Sequence, residues 1–493
     1  MSDLNATSED ILERAEIDKS VRFPVMLFFT SAAVWLFVAT ALGFLSSLKL
    51  AVPTMFQDMP IFGYGRLFPA HMNALVYGWA MQAGMGVILW IMVRLTRVGL
   101  GRLQSTCVIV AGHVWNFAVG LGTFGIIFGA GRSLPWLDFP AWLWPLLGAS
   151  YLLITIWVIP MYRVRRAGGV YVSELFIIGA AVWFPWIFIT ANVFIGNGAA
   201  PVMAAGTNAW FISNLIYFWF APVSLAVAYY IVPKIAGRPI YSYPLAKMAF
   251  WALAILAGWT GFQRFMGGPF PAWMPAISGA ASVFILIAVI ATATNLLMTL
   301  RGRSRLWEFS PSLRFTMFGM FLLAMYGVLA GLNAYFPVGK YLQFSHFLVG
   351  LDTLAVYGFF SMTIFGAMYF IVPRITGCEW VSGGMIRWHF WLSAYGILTV
   401  VLVMLVGGIA QGGNMADYAT RFGLSVENSQ GYVIGRILAW LLIGISNLWF
   451  VYQMGLMFIG RGRKTEGPTL IHVEPGSVAT SEAAAGLTSE EVV

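Results

Sequence analysis

Histidines placed in apolar stretches are the first residues of this sequence with a clear chemical potential. Four of its five histidines, His71, His113, His346 and His389, lie in or at the ends of long apolar stretches. Imidazole nitrogens there are candidate ligands for a metal ion or a metal-containing cofactor, because ionisable groups inside a membrane often serve function. Asp352 is the carboxylate that falls well inside such a stretch, so buried charge is a second chemistry to expect. His113 and His389 are expected to pack or hydrogen-bond.

Membrane-spanning helices are the elements that must position these residues. Apolar residues make up 60% of the 493 residues and charged residues only 10%, which is too little charge to cover a soluble protein of this length. The apolar residues come in blocks of about 20 or more, each long enough to cross a bilayer as a helix. The predicted fold class is an all-α polytopic membrane protein of about 12 transmembrane helices. The spans are predicted near 23–47, 68–93, 105–130, 141–162, 173–197, 208–233, 244–264, 275–299, 315–336, 346–373, 388–411 and 432–459.

The placement of charge predicts the topology. The chain carries a net charge of +9, and most of its lysines and arginines fall in the connectors at one end of the spans. Basic residues are enriched on the cytoplasmic side, so both termini are predicted to be cytoplasmic, in a bacterial-type inner membrane. The basic balance therefore indicates a lipid bilayer as partner, and no nucleic acid. We predict a cytoplasmic segment at 1–22, one membrane domain at 23–460 and a disordered cytoplasmic tail at 461–493, with no repeat of fixed period.

A series of motifs resembles subunit I of the haem-copper oxidase superfamily, in the branch of the cbb-type cytochrome c oxidases and nitric oxide reductases. The run Gly65-Arg66-Leu67, followed by Pro69 and His71, is similar to the start of the second helix of that family. Similar matches cover roughly residues 60–460, and they include Leu137-Asp138-Phe139-Pro140, Val232-Pro233-Lys234, Phe250-Trp251, Val372-Pro373-Arg374 and Gly431-Tyr432. The resemblance implies the twelve-helix oxidase fold.

The same resemblance implies that the oxygen- or nitric oxide-reducing centre is missing. Counting from the matched motifs, the family's metal-binding histidine positions are occupied by Ser213, Gln263, Arg264, Leu351 and Thr353. Copper and non-haem iron need imidazole, thiolate or carboxylate donors, and these side chains supply none. We therefore expect no copper and no catalytic residue of the binuclear type.

A haem b site remains open on the sequence alone. The resemblance implies that His71 is an axial ligand of the low-spin haem, but its partner position is Thr353. His346 either matches a histidine of the loop before the tenth helix, or lies in a rebuilt tenth helix and supplies the second ligand. The alternatives are a bis-histidine haem, a haem held by His71 alone, and no haem. Three arginines are candidate partners of haem propionates, with interfacial snorkelling as the alternative: Arg66, Arg132 and Arg436.

Arg264 and Asp352 are a candidate charge pair in the former metal pocket. A guanidinium cannot be neutralised by deprotonation, so a buried Arg264 needs an anion or several acceptors. We expect the two residues to face the pocket, paired directly or through Gln263, Ser213 and water. The alternative is that Arg264 snorkels to the interface while Asp352 faces a neighbouring subunit.

Three hypotheses on function follow. The first is an oxidase-like membrane subunit of a respiratory electron-transfer complex that reduces neither oxygen nor nitric oxide, anchors partner subunits and passes electrons through one haem b, with quinone as a candidate partner. The resemblance implies cytochrome c-type or other respiratory subunits on the outer face. The second is a working terminal oxidase or nitric oxide reductase with an unconventional site. The third is a haem-free transporter or scaffold.

Overall fold

The computed structural model describes residues 8–165 and 169–464 of the chain. The predicted tail at 461–493 therefore lies almost entirely outside the described residues. Within the described ranges the backbone is helical apart from its connecting loops and an isolated bridge between Glu379 and Arg463.

Twelve helices of the described residues are long and apolar enough to cross a membrane, which confirms the predicted fold class. We number them α1 to α12 in chain order. Their bounds are Ser8–Ala51, Tyr64–Thr96, Arg102–Ile127, Ala141–Arg163, Val172–Gly196, Pro201–Ala236, Tyr243–Phe265, Trp273–Thr299, Pro311–Ala334, His346–Thr376, Gly383–Ala416 and Phe422–Phe458.

The first helix is much longer than a bilayer requires. α1 has 44 residues, so at 1.5 Å per residue it is about 66 Å long, whereas the hydrocarbon core is about 30 Å thick. It runs without a break through residue 23, where the sequence places the boundary between a cytoplasmic segment and the membrane domain. Its N-terminal part is tied to α2 by an ion pair between Asp18 and Arg94, with Oδ2 and Nη1 3.1 Å apart.

Three helices form the centre of the bundle. The apolar windows of α2, α6 and α10 are buried completely, whereas those of the other nine spans in the described ranges are between 33% and 67% buried. The bundle end at which α1 begins and α12 ends carries most of the basic residues, and we call it the basic end. The opposite end, which holds the starts of α2, α6 and α10, is called the distal end.

Each central helix contains a π-helical segment near its middle. The segments are Ala74–Ala80, Ile216–Phe220 and Leu354–Phe360, and the last of them packs against both others. Each contains a tyrosine, and Tyr77, Tyr217 and Tyr357 are spaced by 140 residues along the chain. This spacing was not among the features predicted from the sequence. π-helical turns are rare, and those that occur are often found at functional sites. The three segments therefore indicate a candidate functional region in the middle of the bundle.

Candidate functional site

The distal end of α7 is unwound where the family's adjacent histidine pair is expected. The α-helical part of this span ends at Leu256, and two short 3₁₀ turns follow, Ala257–Trp259 and Phe262–Phe265. The predicted span near 244–264 is confirmed, and its last turns are 3₁₀ rather than α-helical. Gly261 between them has φ of +121°, and a Cβ on it would lie 2.4 Å from the Cα of Trp210. Only glycine satisfies both demands, so the break is built into the sequence at that residue.

Arg264 and Asp352 form a direct ion pair across the distal half of the bundle. Nη2 of Arg264 lies 2.5 Å from Oδ1 of Asp352, and Nη1 lies 3.2 Å from Oδ2. The two side chains are only 14% and 16% exposed. A two-pronged guanidinium–carboxylate pair of this kind satisfies both charges in an environment that would otherwise penalise each of them. The contact joins the unwound end of α7 to the first turns of α10.

The remaining positions around this pair hold neutral side chains with local partners. The amide oxygen Oε1 of Gln263 accepts from the backbone N–H of Gly261 at 2.6 Å and from the Ser278 hydroxyl at 2.5 Å. The backbone carbonyl of Gln263 accepts from Nε2 of Gln343 at 2.7 Å. Gln263 therefore braces the unwound segment and does not bridge Arg264 to Asp352.

The other positions that the family resemblance assigns to metal ligands hold no side chain that binds a metal strongly. Thr353 donates its hydroxyl to the carbonyl of Val349 at 2.8 Å, while Ser213 and Leu351 are buried, each 3% exposed. The described residues contain no group of three or more His, Cys, Asp or Glu side chains arranged to hold a metal ion. A hydroxyl, an amide, an isobutyl group and a paired guanidinium do not fit copper or non-haem iron.

His71 is buried on α2 and held in a defined orientation. Its Nδ1 lies 2.7 Å from the carbonyl oxygen of Ala39 on α1, and the edge of the Trp440 ring packs against it, with centroids 4.8 Å apart. A carbonyl only accepts, so Nδ1 carries the proton and Nε2 carries the lone pair. Gly43 gives the ring room, because a Cβ there would meet Cε1 of His71 at 2.7 Å. This backbone-anchored tautomer is the one that a histidine ligand of a haem iron needs.

Arg436 on α12 is a buried cation with an unsatisfied donor. Its side chain is 2% exposed, it lies over the Phe68 ring at 5.3 Å, and Nη1 has no hydrogen-bond partner among the described residues. Both His71 and His346 lie within electrostatic range of this guanidinium. Leaving a charged donor unsatisfied in a buried position is costly, so the arrangement favours an anionic ligand beside His71. A haem propionate fits this requirement.

The other two arginines proposed for propionates are already engaged by the protein. Arg132 donates from Nε to the carbonyls of Leu137 and Phe139, and from Nη2 to the Asn192 side chain at 2.8 Å. Arg66 donates to the carbonyl of Ile127 at 3.2 Å. These two residues hold the distal connector between α3 and α4 in place.

His346 lies further toward the distal end than His71. The π segments of α2 and α10 match residue for residue at a spacing of 280, which pairs His71 with Leu351. His346 is five residues before Leu351, so at 1.5 Å per residue it lies about 7.5 Å closer to the distal end. The backbone N–H of His346 donates to Gln411 at 2.9 Å, where α10 begins. By this register, His346 lies about 7.5 Å from the level of His71 along the helix axis.

Asp138 makes the stability of the distal connector depend on pH. Burial raises the pKa of this carboxyl to about 6, against the opposing effect of hydrogen bonds from Nδ2 of Asn73 and the backbone N–H of Trp136. The folded chain therefore favours the neutral acid, and this stabilisation is complete below about pH 4 and is lost as the pH rises through about 6.

We expect Asp138→Asn to remove that loss, because the amide keeps an acceptor oxygen and has no acidic proton to lose. The melting temperature of the variant minus that of the parent chain should increase between pH 4 and pH 6 and then level off. The difference from about 4 to about 6 corresponds to at most about 3 kcal/mol of unfolding free energy. Thermal unfolding of both chains in detergent at pH 4 to 7 measures it, and a difference that stays constant with pH would contradict the assignment.

Several site residues were missed from the sequence. Ala39 and Trp440 around His71, and Ser278 around Gln263, come from helices distant in the chain, and their residue types carry no signal of these contacts. Tyr217 and Tyr326, whose rings pack with centroids 5.9 Å apart, were also missed. The spacing of 140 residues that marks Tyr217 was visible in the sequence.

The fold belongs to a known class of membrane protein. A haem-copper terminal oxidase dimer solved by cryo-electron microscopy matches this structure with a TM-score of 0.74 at 15% identity, over 94% of this chain and 90% of that chain. The arrangement of twelve spans around α2, α6 and α10 is thus the haem-copper oxidase subunit I fold.

The chain belongs to the family described as Cytochrome C and Quinol oxidase polypeptide I, whose profile matches residues 23–442. It is 26% identical to the cytochrome c oxidase subunit 1 homolog, bacteroid, of Bradyrhizobium diazoefficiens, over 86% of this chain and 81% of that protein. It is 27% identical to the cbb3-type cytochrome c oxidase subunit CcoN1 of Stutzerimonas stutzeri, over 79% of this chain and 83% of that protein.

These similarities confirm the predicted resemblance to haem-copper oxidase subunit I. The protein is an integral membrane protein of the electron-transport type, and subunit I proteins of this family normally bind haem and work with other respiratory subunits.

Proposed function

We propose that this chain is an oxidase-like subunit of a respiratory electron-transfer complex that has no oxygen- or nitric oxide-reducing centre of its own. The observation that carries the proposal is the direct Arg264–Asp352 pair at 2.5 Å, at positions that the family resemblance assigns to the metal site and its immediate surroundings. A divalent cation placed beside a guanidinium would be repelled by it. The carboxylate that is present is already used by that guanidinium.

The pocket also lacks neutral donors that would bind a metal in place of histidine. Ser213 and Thr353 offer only hydroxyl groups. The side-chain oxygen of Gln263 already accepts hydrogen bonds from Gly261 and Ser278, and its backbone carbonyl accepts one from Gln343. Filling the space with a charge-balanced and hydrogen-bonded set allows the bundle to fold without a metal. An unconventional catalytic site would need at least one spare strong ligand there.

A single haem b is proposed at His71. Two features support it, the His71 tautomer anchored by the Ala39 carbonyl and the orphaned Nη1 of the buried Arg436 beside it. When bound, haem b supplies a one-electron redox centre. His71 would hold the iron and Arg436 would pair with a propionate. Along the helix axis, His346 lies about 7.5 Å closer to the distal end than His71 does. This separation supports His71 as the protein residue that would hold the iron.

Partner subunits are proposed at the distal face, with both termini in the cytoplasm of a bacterial-type cell and quinone as the membrane-soluble electron carrier. The excess of Lys and Arg at the basic end supports this orientation. Several large aromatic side chains are exposed around the distal connectors, as expected of a surface that binds protein or lies at the membrane interface: Tyr335, Phe336, Phe344, Tyr418 and Phe422. Cytochrome c-type subunits are the partners that the relatives' names suggest.

Cofactor stoichiometry is the direct test of this function. We expect the purified protein to contain one haem b per chain and no copper above background, because the described residues offer His71 as an anchored haem ligand and no cluster of side chains arranged to hold a metal ion. Elemental analysis and a pyridine haemochrome spectrum measure both quantities on the same sample. Two haems or stoichiometric copper per chain would indicate a working terminal oxidase, and the absence of any haem would indicate a scaffold or transporter.

A further inference from the structure

A cavity lies at the basic end of the bundle, far from His71 and Arg264. It has a volume of about 360 Å³, which falls in the range of small-molecule sites, and it opens between α1, α2, α5, α6 and the start of α7. Nothing in the proposed electron-transfer role uses it.

The lining of this cavity is strongly cationic. Five basic side chains face it, Arg14, Arg94, Arg97, Lys234 and Arg238, together with one carboxylate, Glu13. Glu13 is paired with Arg97 at 3.5 Å, and Asp18 is paired with Arg94 from behind the wall at 3.1 Å. Lys234 and Arg238 form no ion pair with a carboxylate among the described residues, so these two side chains bring positive charge to the cavity.

Lys234 is an exposed charge of this set. It is exposed at the end of α6, and its Nζ lies over the ring of Tyr230, 5.2 Å from the centroid. Arg238, one turn further on, is held by its contacts to the carbonyls of Thr299 and Arg301. The ammonium group of Lys234, on a flexible side chain, is suited to an incoming anion. The Arg238 guanidinium is held in place and adds a second positive charge.

The starts of two long helices add to the positive field. Tyr171, Val172 and Ser173 at the start of α5 and Tyr243 at the start of α7 all line the cavity. The N-terminal end of a helix carries a partial positive charge and free N–H groups, although the Glu174 carboxylate accepts the Tyr171 N–H at 3.2 Å. Tyr171 and Tyr243 are 44% and 41% exposed, so the rim has the amphipathic tyrosines of a membrane interface.

We propose that this cavity binds the phosphate group of an anionic ligand. Clustered basic side chains between transmembrane helices suit the phosphate of an anionic phospholipid, and the same chemistry would hold a free phosphate from the aqueous side. The tyrosine rim at the lipid level favours the lipid source. Such a ligand would bridge α1, α5 and α6, and would clamp the long first helix onto the central bundle.

The test is a titration of the full-length protein, with any co-purifying subunits, after removal of bound lipid in detergent. Phosphatidylglycerol, phosphatidylcholine and inorganic phosphate are added separately, and binding is measured by native mass spectrometry and by thermal shift. Lys234→Gln and the double variant Lys234→Gln/Arg238→Gln are compared with Lys247→Gln. Lys247 is an exposed lysine of the same end that does not line the cavity, so it is a matched control.

We expect phosphatidylglycerol to bind more tightly than phosphatidylcholine, and its affinity to fall about fivefold in Lys234→Gln and about 25-fold in Lys234→Gln/Arg238→Gln, since one basic residue near an anionic headgroup contributes about 1 kcal/mol. Lys247→Gln should bind as the parent chain does. Saturable phosphate binding that is lost in the same variants would identify a free phosphate as the source. Equal binding of both lipids, or equal losses in Lys234→Gln and Lys247→Gln, would overturn the proposal.

Discussion

Arg264→Leu should lower the free energy of unfolding by about 3–5 kcal/mol, because it leaves the Asp352 carboxylate buried without its cation. The pair is direct and its side chains are only 14% and 16% exposed, so little solvent is available to replace the lost partner. Equilibrium or thermal unfolding in detergent, followed by helical circular dichroism, measures the change.

The double variant Arg264→Leu/Asp352→Leu should recover most of that loss, since removing both charges leaves no uncompensated ion. Arg97→Leu is the matched control, because its pair with Glu13 is 44% and 28% exposed on the two side chains and should contribute about 1 kcal/mol or less. If the single and double variants are equally destabilised, the side chains matter through packing and the charge argument fails.

His71→Ala should abolish the haem b spectrum of the purified protein. The imidazole is the proposed iron ligand, and alanine supplies no donor in a pocket whose other walls are Trp440 and Phe68. Optical spectra of the oxidised and dithionite-reduced protein, together with the pyridine haemochrome yield, measure the loss independently of any enzymatic activity.

His346→Ala is the control for this variant, because its imidazole lies closer to the distal end and should leave the haem content unchanged. Arg436→Gln should retain haem but shift its reduction potential downward, since a buried positive charge beside the haem favours the reduced state. A haem spectrum that survives in His71→Ala and disappears in His346→Ala would move the ligand to α10.

The twelve spans were predictable because each is a block of apolar residues long enough to cross the bilayer, and that property is local. The pairing of Arg264 with Asp352 was predictable for a different reason, since a buried guanidinium must find an anion and the apolar stretches offered Asp352. His71 came from the family motif around Gly65-Arg66-Leu67, and its Ala39 anchor could not be foreseen because it is a backbone carbonyl on another helix.

The unwound end of α7 and the π segments could not be read from apolar patterns. They depend on tertiary packing, since the backbone of Trp210 leaves no room for a Cβ at Gly261. The role of Arg132 was obscured in the same way. Its side chain is satisfied by the carbonyls of its own connector and by Asn192, and an arginine at a span end looks the same in sequence whether it binds a ligand or a loop.

The spacing of 140 residues between Tyr77, Tyr217 and Tyr357 makes this chain a ready frame for metalloprotein engineering. Asn73, Ser213 and Thr353 each lie four residues before one of these tyrosines, at corresponding positions on the three central helices. A metal-binding side chain designed at one of these positions thus has an equivalent position on each of the other two central helices. Histidine introduced at such positions, together with removal of the Arg264–Asp352 charges, would allow an artificial metal centre to be built stepwise inside the bundle.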